Sequence, residues 1–270
     1  DIVRSRLTLL RISREDSSDM DKQTAAKQLL QGEAFFVAYA QATNMPYITC
    51  DEESFEDEVH FFAAEEDEKE FAKSKRDEKI MLMGMKVPKT EYISFFSMLY
   101  AMGIDTIDFY VSGEHVKLEM SQLVTFNMDK LSEEKRPLVN QSLQLSGLYF
   151  MQELRKPIEN EQRDKEKLKT LEEEVIVNLR RSDVLMAVEP EENRFNIPCM
   201  KNREQKPFQP FFTDSMEAEK FTKGKNLKLL RIKFMDLPKY LLKEIEGFAI
   251  NPLGFNLLLS REQIANLTKQ

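Results

Sequence analysis

Glycine, histidine, cysteine and tryptophan are scarce in this 270-residue chain, with eight, two, two and none respectively. The two closest glycines, Gly247 and Gly254, lie seven residues apart, so no G-x-G occurs. Without clustered glycines no backbone cradle for a phosphate forms, which excludes a P-loop and a dinucleotide fingerprint; G-x-S-x-G is missing too. The two histidines, His60 and His115, sit in no H-E-x-x-H and beside no C-x-x-C, so no metal site and no cofactor are expected. Two cysteines make no disulfide framework and point to a reducing, cytoplasmic setting. No run approaches the roughly 18 to 20 apolar residues that cross a bilayer. The first twenty residues, interrupted by Arg4, Arg6, Arg11, Arg14, Glu15 and Asp16, read as neither signal peptide nor anchor. Basic residues are also in deficit, 39 against 47 acidic, for a net charge of −8. That is the wrong sign for a generic binder of nucleic-acid phosphates.

What is present is a globular composition, 41% hydrophobic and 32% charged, at a length suited to about two domains. The chain also repeats itself. Residues 59–89 lie without a gap on 209–239, with eight of 31 positions identical against roughly two by chance. The matches are Phe61/Phe211, Phe62/Phe212, Phe71/Phe221, Lys73/Lys223, Lys75/Lys225, Met85/Met235, Pro88/Pro238 and Lys89/Lys239. Upstream the offset is 149, pairing Ala38 with Ala187 and Cys50 with Cys199; downstream it is 146, laying 103–109 on 249–255, and then 141. This alignment puts about five extra residues of the first copy near Ser112–Val116. It divides the chain into an extension (1–21), a first unit (22–126), a helical connector (127–167) and a second unit (168–270).

The second copy has the cleaner local signals. Val184–Val188 reads as a buried strand, with further strands at 194–199 and 208–212. Asp214 followed by Glu217 is an N-cap signature for a short helix closed by Gly224. Leu230, Ile232 and Phe234 alternate as a half-buried strand. Pro238 and Gly247 bracket a helix in the proline-first, glycine-last order. Ser260 and Gln263 form a capping box. Helical spacing fills 142–156, and the mostly charged 159–174 reads as an amphipathic helix, with a narrow stripe at Leu168, Leu171, Val175 and Leu179, leading into the second copy. The fold class is α/β of the mixed-sheet α+β kind, each unit a mixed sheet flanked by helices.

The runs FFTDSMEAEKF (211–221), LLRIKF (229–234) and INPLGFNLLLSREQI (250–264) resemble the SseB family, the enhanced serine sensitivity proteins of bacteria, in their N-terminal-type domain. LQLSGLYFMQELRKP (143–157) resembles the connector of two-copy members. The resemblance implies two tandem SseB-like units, a phenotype rather than a reaction, and no catalytic residue. Where the family shows I-N-P-x-G, the first copy has Ile104-Asp105-Thr106-Ile107-Asp108.

Among candidate sites, the turn Asn251-Pro252-Leu253-Gly254, with Gly254 at positive φ, and the strand residues Arg231 and Lys233 offer the best ligand or partner contacts. Residues 51–70 carry eleven acidic side chains, read as a solvated loop and helix face. Cys50 and Cys199 read as buried structural thiols, with His60 close enough in sequence to activate only the first. Met81, Met83, Met85 and Met98 read as core, with an adaptable binding surface as the alternative. No catalytic triad is assigned. These residues point to a non-catalytic binding or regulatory protein whose partner is an unknown protein or a second copy of itself, with no nucleic acid and no membrane. The alternatives are a sensor holding a small molecule, such as an amino-acid-like metabolite, between the copies, and an unrecognised enzyme.

Overall fold

The computed structural model describes residues 7–9, 20–126, 132, 136–190 and 195–269. Most of the expected 1–21 extension and of 127–135, and residue 194 of the expected strand 194–199, lie outside the described residues. The chain divides into two compact units: Asp1–Arg136 with Lys156–Ile158, and Pro137–Arg155 with Glu159–Gln270.

The first unit runs β1 (Leu7–Leu9), α1 (Met20–Gln31), β2 (Ala34–Ala40), β3 (Met45–Pro46), β4 (Ile48–Cys50), β5 (Asp57–Phe62), α2 (Glu65–Lys75), β6 (Leu82–Pro88), α3 (Tyr92–Met102), β7 (Thr106–Val111), β8 (Glu114–Glu119), α4 (Met120–Leu123) and β9 (Val124–Phe126). Its main sheet has the order β3-β2-β5-β7-β8, with β6 paired to β2 and β4 to β5. Only β5 and β7 are parallel, and the chain between them includes two helices, as a parallel crossover requires. The strand AFFVAYA is apolar on both faces because both are covered. On one face Phe35 stacks on Phe61 at 4.3 Å and meets Tyr92 of α3 at 4.6 Å. Helix α3 stops at Gly103, whose φ of 86° supplies the left-handed cap. On the other face Phe62 packs on Phe71 of α2.

The second unit runs α5 (Gln141–Leu154), α6 (Lys165–Arg181), β10 (Asp183–Pro190), β11 (Phe195–Asn196), β12 (Met200–Lys201), β13 (Pro207–Phe212), α7 (Ser215–Thr222), β14 (Lys228–Lys233), β15 (Gly247–Ile250), β16 (Leu257–Ser260) and α8 (Arg261–Leu267). Its sheet has the order β11-β10-β13-β15-β16, with β12 on β13 and β14 on β10. Asp214 caps α7 by accepting from the Glu217 N–H, and Ser260 and Gln263 close a capping box on α8.

Strand register corrects the sequence alignment in two places. Phe36 and Leu185 hold matching positions on β2 and β10, each opposite a phenylalanine of the next strand. Their partners on the other side are Lys86 and Arg231, an offset of 145 rather than 150. The pairs Met85/Met235, Pro88/Pro238 and Lys89/Lys239 are therefore coincidences. The missing residues come out of the longer α2 and its following loop. Likewise Glu58 faces Thr106 where Phe208 faces Gly247, so β7 and β15 differ by 141 and not 146. By that register Gly113, not a residue of 104–108, holds the place of Gly254. Pro238 sits inside a 3-10 helix (Phe234–Tyr240), and Gly247 begins a strand rather than ending a helix.

Candidate functional site

In the first unit the period-two alternation of β5, β7 and β8 lays polar side chains on the sheet face below α2. His60 is paired in register with Asp108, and Asp108 with Lys117. Both histidines of the chain thereby converge on one buried carboxylate. His115 Nδ1 lies 2.8 Å from Asp108 Oδ1, and His60 Nδ1 lies 3.5 Å from Oδ2. Burial pushes the Asp108 carboxyl up, but the two imidazoles outweigh it and hold the group below the ordinary carboxylate range. The Tyr110 hydroxyl, buried and beside Asp108, is pushed well above the usual phenol range. His60 Nε2 lies 2.9 Å from Thr49 Oγ1, and Lys117 bridges Asp51 and Glu58.

Asp108, His60 and Thr49 thus stand in carboxylate–imidazole–hydroxyl order. The His60–Asp108 contact is too long for a hydrogen bond, however, and Thr49 Oγ1 also reaches Glu58 Oε1 at 3.4 Å. The chain of short bonds that activates a nucleophile is not assembled. The sequence signal for this cluster was the polar residue at every second strand position. Its convergence depends on the parallel β5–β7 register, which no local pattern reveals.

The reading of Cys50 and Cys199 as buried structural thiols is corrected: both cysteines are free and exposed. Burial, then Asp57, Asp51 and Glu58, push the Cys50 thiol up; burial alone does so for Cys199.

In the second unit the turn after β15 is locked from inside. Asn251 is fully buried at φ 45°. Its Oδ1 accepts from the Thr213 N–H at 2.9 Å, while its Nδ2 donates to Gln144 Oε1 and to Thr213 Oγ1, both at 2.8 Å. Thr213 Oγ1 also lies 2.8 Å from both Gln144 Oε1 and Asp214 Oδ2. A hydroxyl has one proton, so it serves an ionised Asp214 or, when Asp214 itself donates, Gln144. Gly254 is not at positive φ; Asn251 and Asn256 are. A Cβ at 254 would lie 2.6 Å from Glu217 Oε2, so any side chain there displaces the buried Glu217 carboxyl. Pro252 is buried as well. Arg231 and Lys233 lie apart from this turn on the exposed strand β14, with Arg231 Nε 2.8 Å from Asp183 Oδ2.

Burial pushes the Glu217 carboxyl up, against the pull of Lys220 and with the help of Asp214, which burial also raises. Between the ordinary carboxyl value and the raised one, the folded chain holds a proton that the unfolded chain releases. Stability is therefore gained as pH falls through that window and lost as pH rises through it. In Glu217→Gln the gain in unfolding free energy between pH 7 and pH 5 should shrink relative to the parent, as read by urea titration; an unchanged gain would show that Glu217 carries none of it.

Outside these networks, the exposed large apolar side chains include a row on strand β6 and the residue just before it. Met81, Met83 and Met85 are 40%, 39% and 38% exposed, although the sequence places them in the core. Met83 and Met85 project from β6 on the same side as buried Val87, and among the described residues β6 pairs only with β2. Among the described residues no strand pairs with its outer N–H and C=O groups.

No family model matches the chain, and no curated protein does. Two solved structures are similar in part. Tic22 from Plasmodium falciparum is 14% identical, with 89% of this chain and 93% of that one covered and a TM-score of 0.21. Anabaena Tic22, described with protein transport, is 9% identical, with 84% and 92% covered and a TM-score of 0.22. At these TM-scores neither carries fold or function to this chain. The SseB resemblance is overturned: no SseB model matches, and the structures returned carry another name. The motifs that suggested it, a capped helix after a Phe-Phe strand and a capping box after an apolar run, are solutions of local physics open to any α+β chain.

Proposed function

We propose that this chain is a non-catalytic protein-binding module whose first unit receives an extended segment of another polypeptide along β6. The exposed methionine row on an edge unpaired among the described residues carries this reading. A free edge offers main-chain hydrogen bonds to an added strand, and flexible thioethers adapt to varied side chains. The acidic surface and the lack of clustered glycines support a protein partner over nucleic acid or nucleotide. Among the described residues no helix is long and apolar enough to cross a membrane. Two free, exposed thiols suit a reducing compartment, so a cytoplasmic location belongs to the same proposal.

Selection of random twelve-residue peptides on the full chain tests the proposal. Recovered peptides should alternate apolar and polar residues and lose binding at least about ten-fold to a Met83→Lys, Met85→Lys double variant, a loss of about 1.4 kcal/mol. Peptides that bind the double variant equally well would place the working surface elsewhere.

A further inference from the structure

The two capped helices α2 and α7 can be compared by counting from their caps, Ala64 and Asp214. At the third helical position stand Asp67 and Glu217, at the sixth Glu70 and Lys220, and at the seventh Phe71 and Phe221. Lys75 and Lys225 stand at the eleventh position from the cap in each case. In the second unit the chain's own lysines satisfy this surface. Lys220 pairs with Glu217, and Lys225 Nζ lies 3.9 Å from the centre of the Phe221 ring. In the first unit one of these cations is lost and the other stands farther from its ring. Glutamate replaces the first, and Lys75 stands 5.8 Å from the Phe71 ring because it pairs with Glu78 at 2.8 Å.

Beside Phe71 a cavity of about 250 Å³ opens between α2 and the β7–β8 turn, lined among others by Asp67, Glu70, Phe71, Tyr110 and Glu114. The carboxylates of Asp67, Glu70 and Glu114 form no ion pair among the described residues. The Phe71 and Tyr110 rings are 5.7 Å apart, and Tyr110 is held in place by stacking on both His115 and Phe62. Aromatic faces beneath a carboxylate rim are the chemistry that recognises an organic cation. We infer that this cavity binds an aliphatic ammonium group, supplied from outside where the second unit supplies its own. The source is a lysine side chain of a partner or a free diamine. The site lies across α2 from β6, and its test is independent of strand addition there.

Calorimetric titration of the full chain with 1,5-diaminopentane, with a lysine-containing pentapeptide, and with the pentapeptide carrying norleucine instead reads the site directly. At least one ammonium probe should bind and the norleucine peptide should not; whichever ammonium probe is tighter identifies the source. Glu70→Lys, which restores the second unit's internal pair at an exposed position, should weaken binding at least about ten-fold with an unchanged circular dichroism spectrum. Glu114→Gln should weaken it to a smaller degree. Absence of binding by both ammonium probes, equal binding of the norleucine peptide, or undiminished binding by Glu70→Lys would overturn the inference.

Discussion

Replacing Gly247 by alanine is expected to break the β15–β16 pairing and cost the second unit more than about 4 kcal/mol, the range reserved for backbone and core disruption. A Cβ at 247 would stand 1.9 Å from the Leu259 carbonyl oxygen and 2.9 Å from its carbon. Both atoms are backbone in the paired strand, so no rotamer change relieves the overlap. In the first sheet the same register position, opposite Glu119, is held by Thr106, so the constraint belongs to the local approach of β16 and not to the topology. Urea unfolding of the full chain, with hydrogen exchange read on 247–260, would show early loss of protection there. An unfolding free energy within about 0.5 kcal/mol of the parent would mean that β16 does not approach β15 this closely.

Asn251→Ala should cost about 3 to 5 kcal/mol, since it strips the Thr213 N–H of its partner and Gln144 Oε1 of one of its two inside a buried site. The backbone contributes separately, because Asn251 is left-handed and alanine resists that conformation by about 1 to 2 kcal/mol. Asn251→Gly removes the same hydrogen bonds without the conformational penalty and should be milder by that amount. Calorimetric unfolding of both variants separates the two contributions. Equal losses would show that the hydrogen bonds alone set the cost, and a negligible loss in both would contradict the role of Asn251 as the hub of the turn.

These two residues show how legibility in the sequence depended on range. The Asp214 cap, the Ser260–Gln263 box, the Val184–Val188 strand, the helix over 142–156 and the helical stripe Leu168, Leu171, Val175 and Leu179 are read from neighbours within about one turn, and the structure has a cap, a box, a strand and helices there. The register of β6 against β2 does not lie in that range. Identities at Met85/Met235 and Pro88/Pro238 drew the alignment five residues out of step, because a proline ending a strand and one inside a 3-10 helix look alike in one dimension. Gly247 reads as a helix stop by the same ambiguity, glycine serving both as a cap and as a point of close backbone approach. Asn251 was legible as a turn residue, but its partner Gln144 lies 107 positions away. The convergence of His60 and His115 on Asp108 required the parallel pairing first. The sequence reading places Met81, Met83, Met85 and Met98 in the core, whereas the exposure of the first three goes with the place of β6 at the end of the described sheet.

The central claim is that β6 is a receiving edge. It is tested most directly by methyl NMR of the full chain labelled at the methionine ε-carbons, titrated with a peptide recovered from selection. The account predicts that Met81, Met83 and Met85 shift together and saturably, while buried Met45, Met102 and Met186 stay fixed. Shifts confined to other methionines, with the β6 row unmoved at saturation, would contradict it.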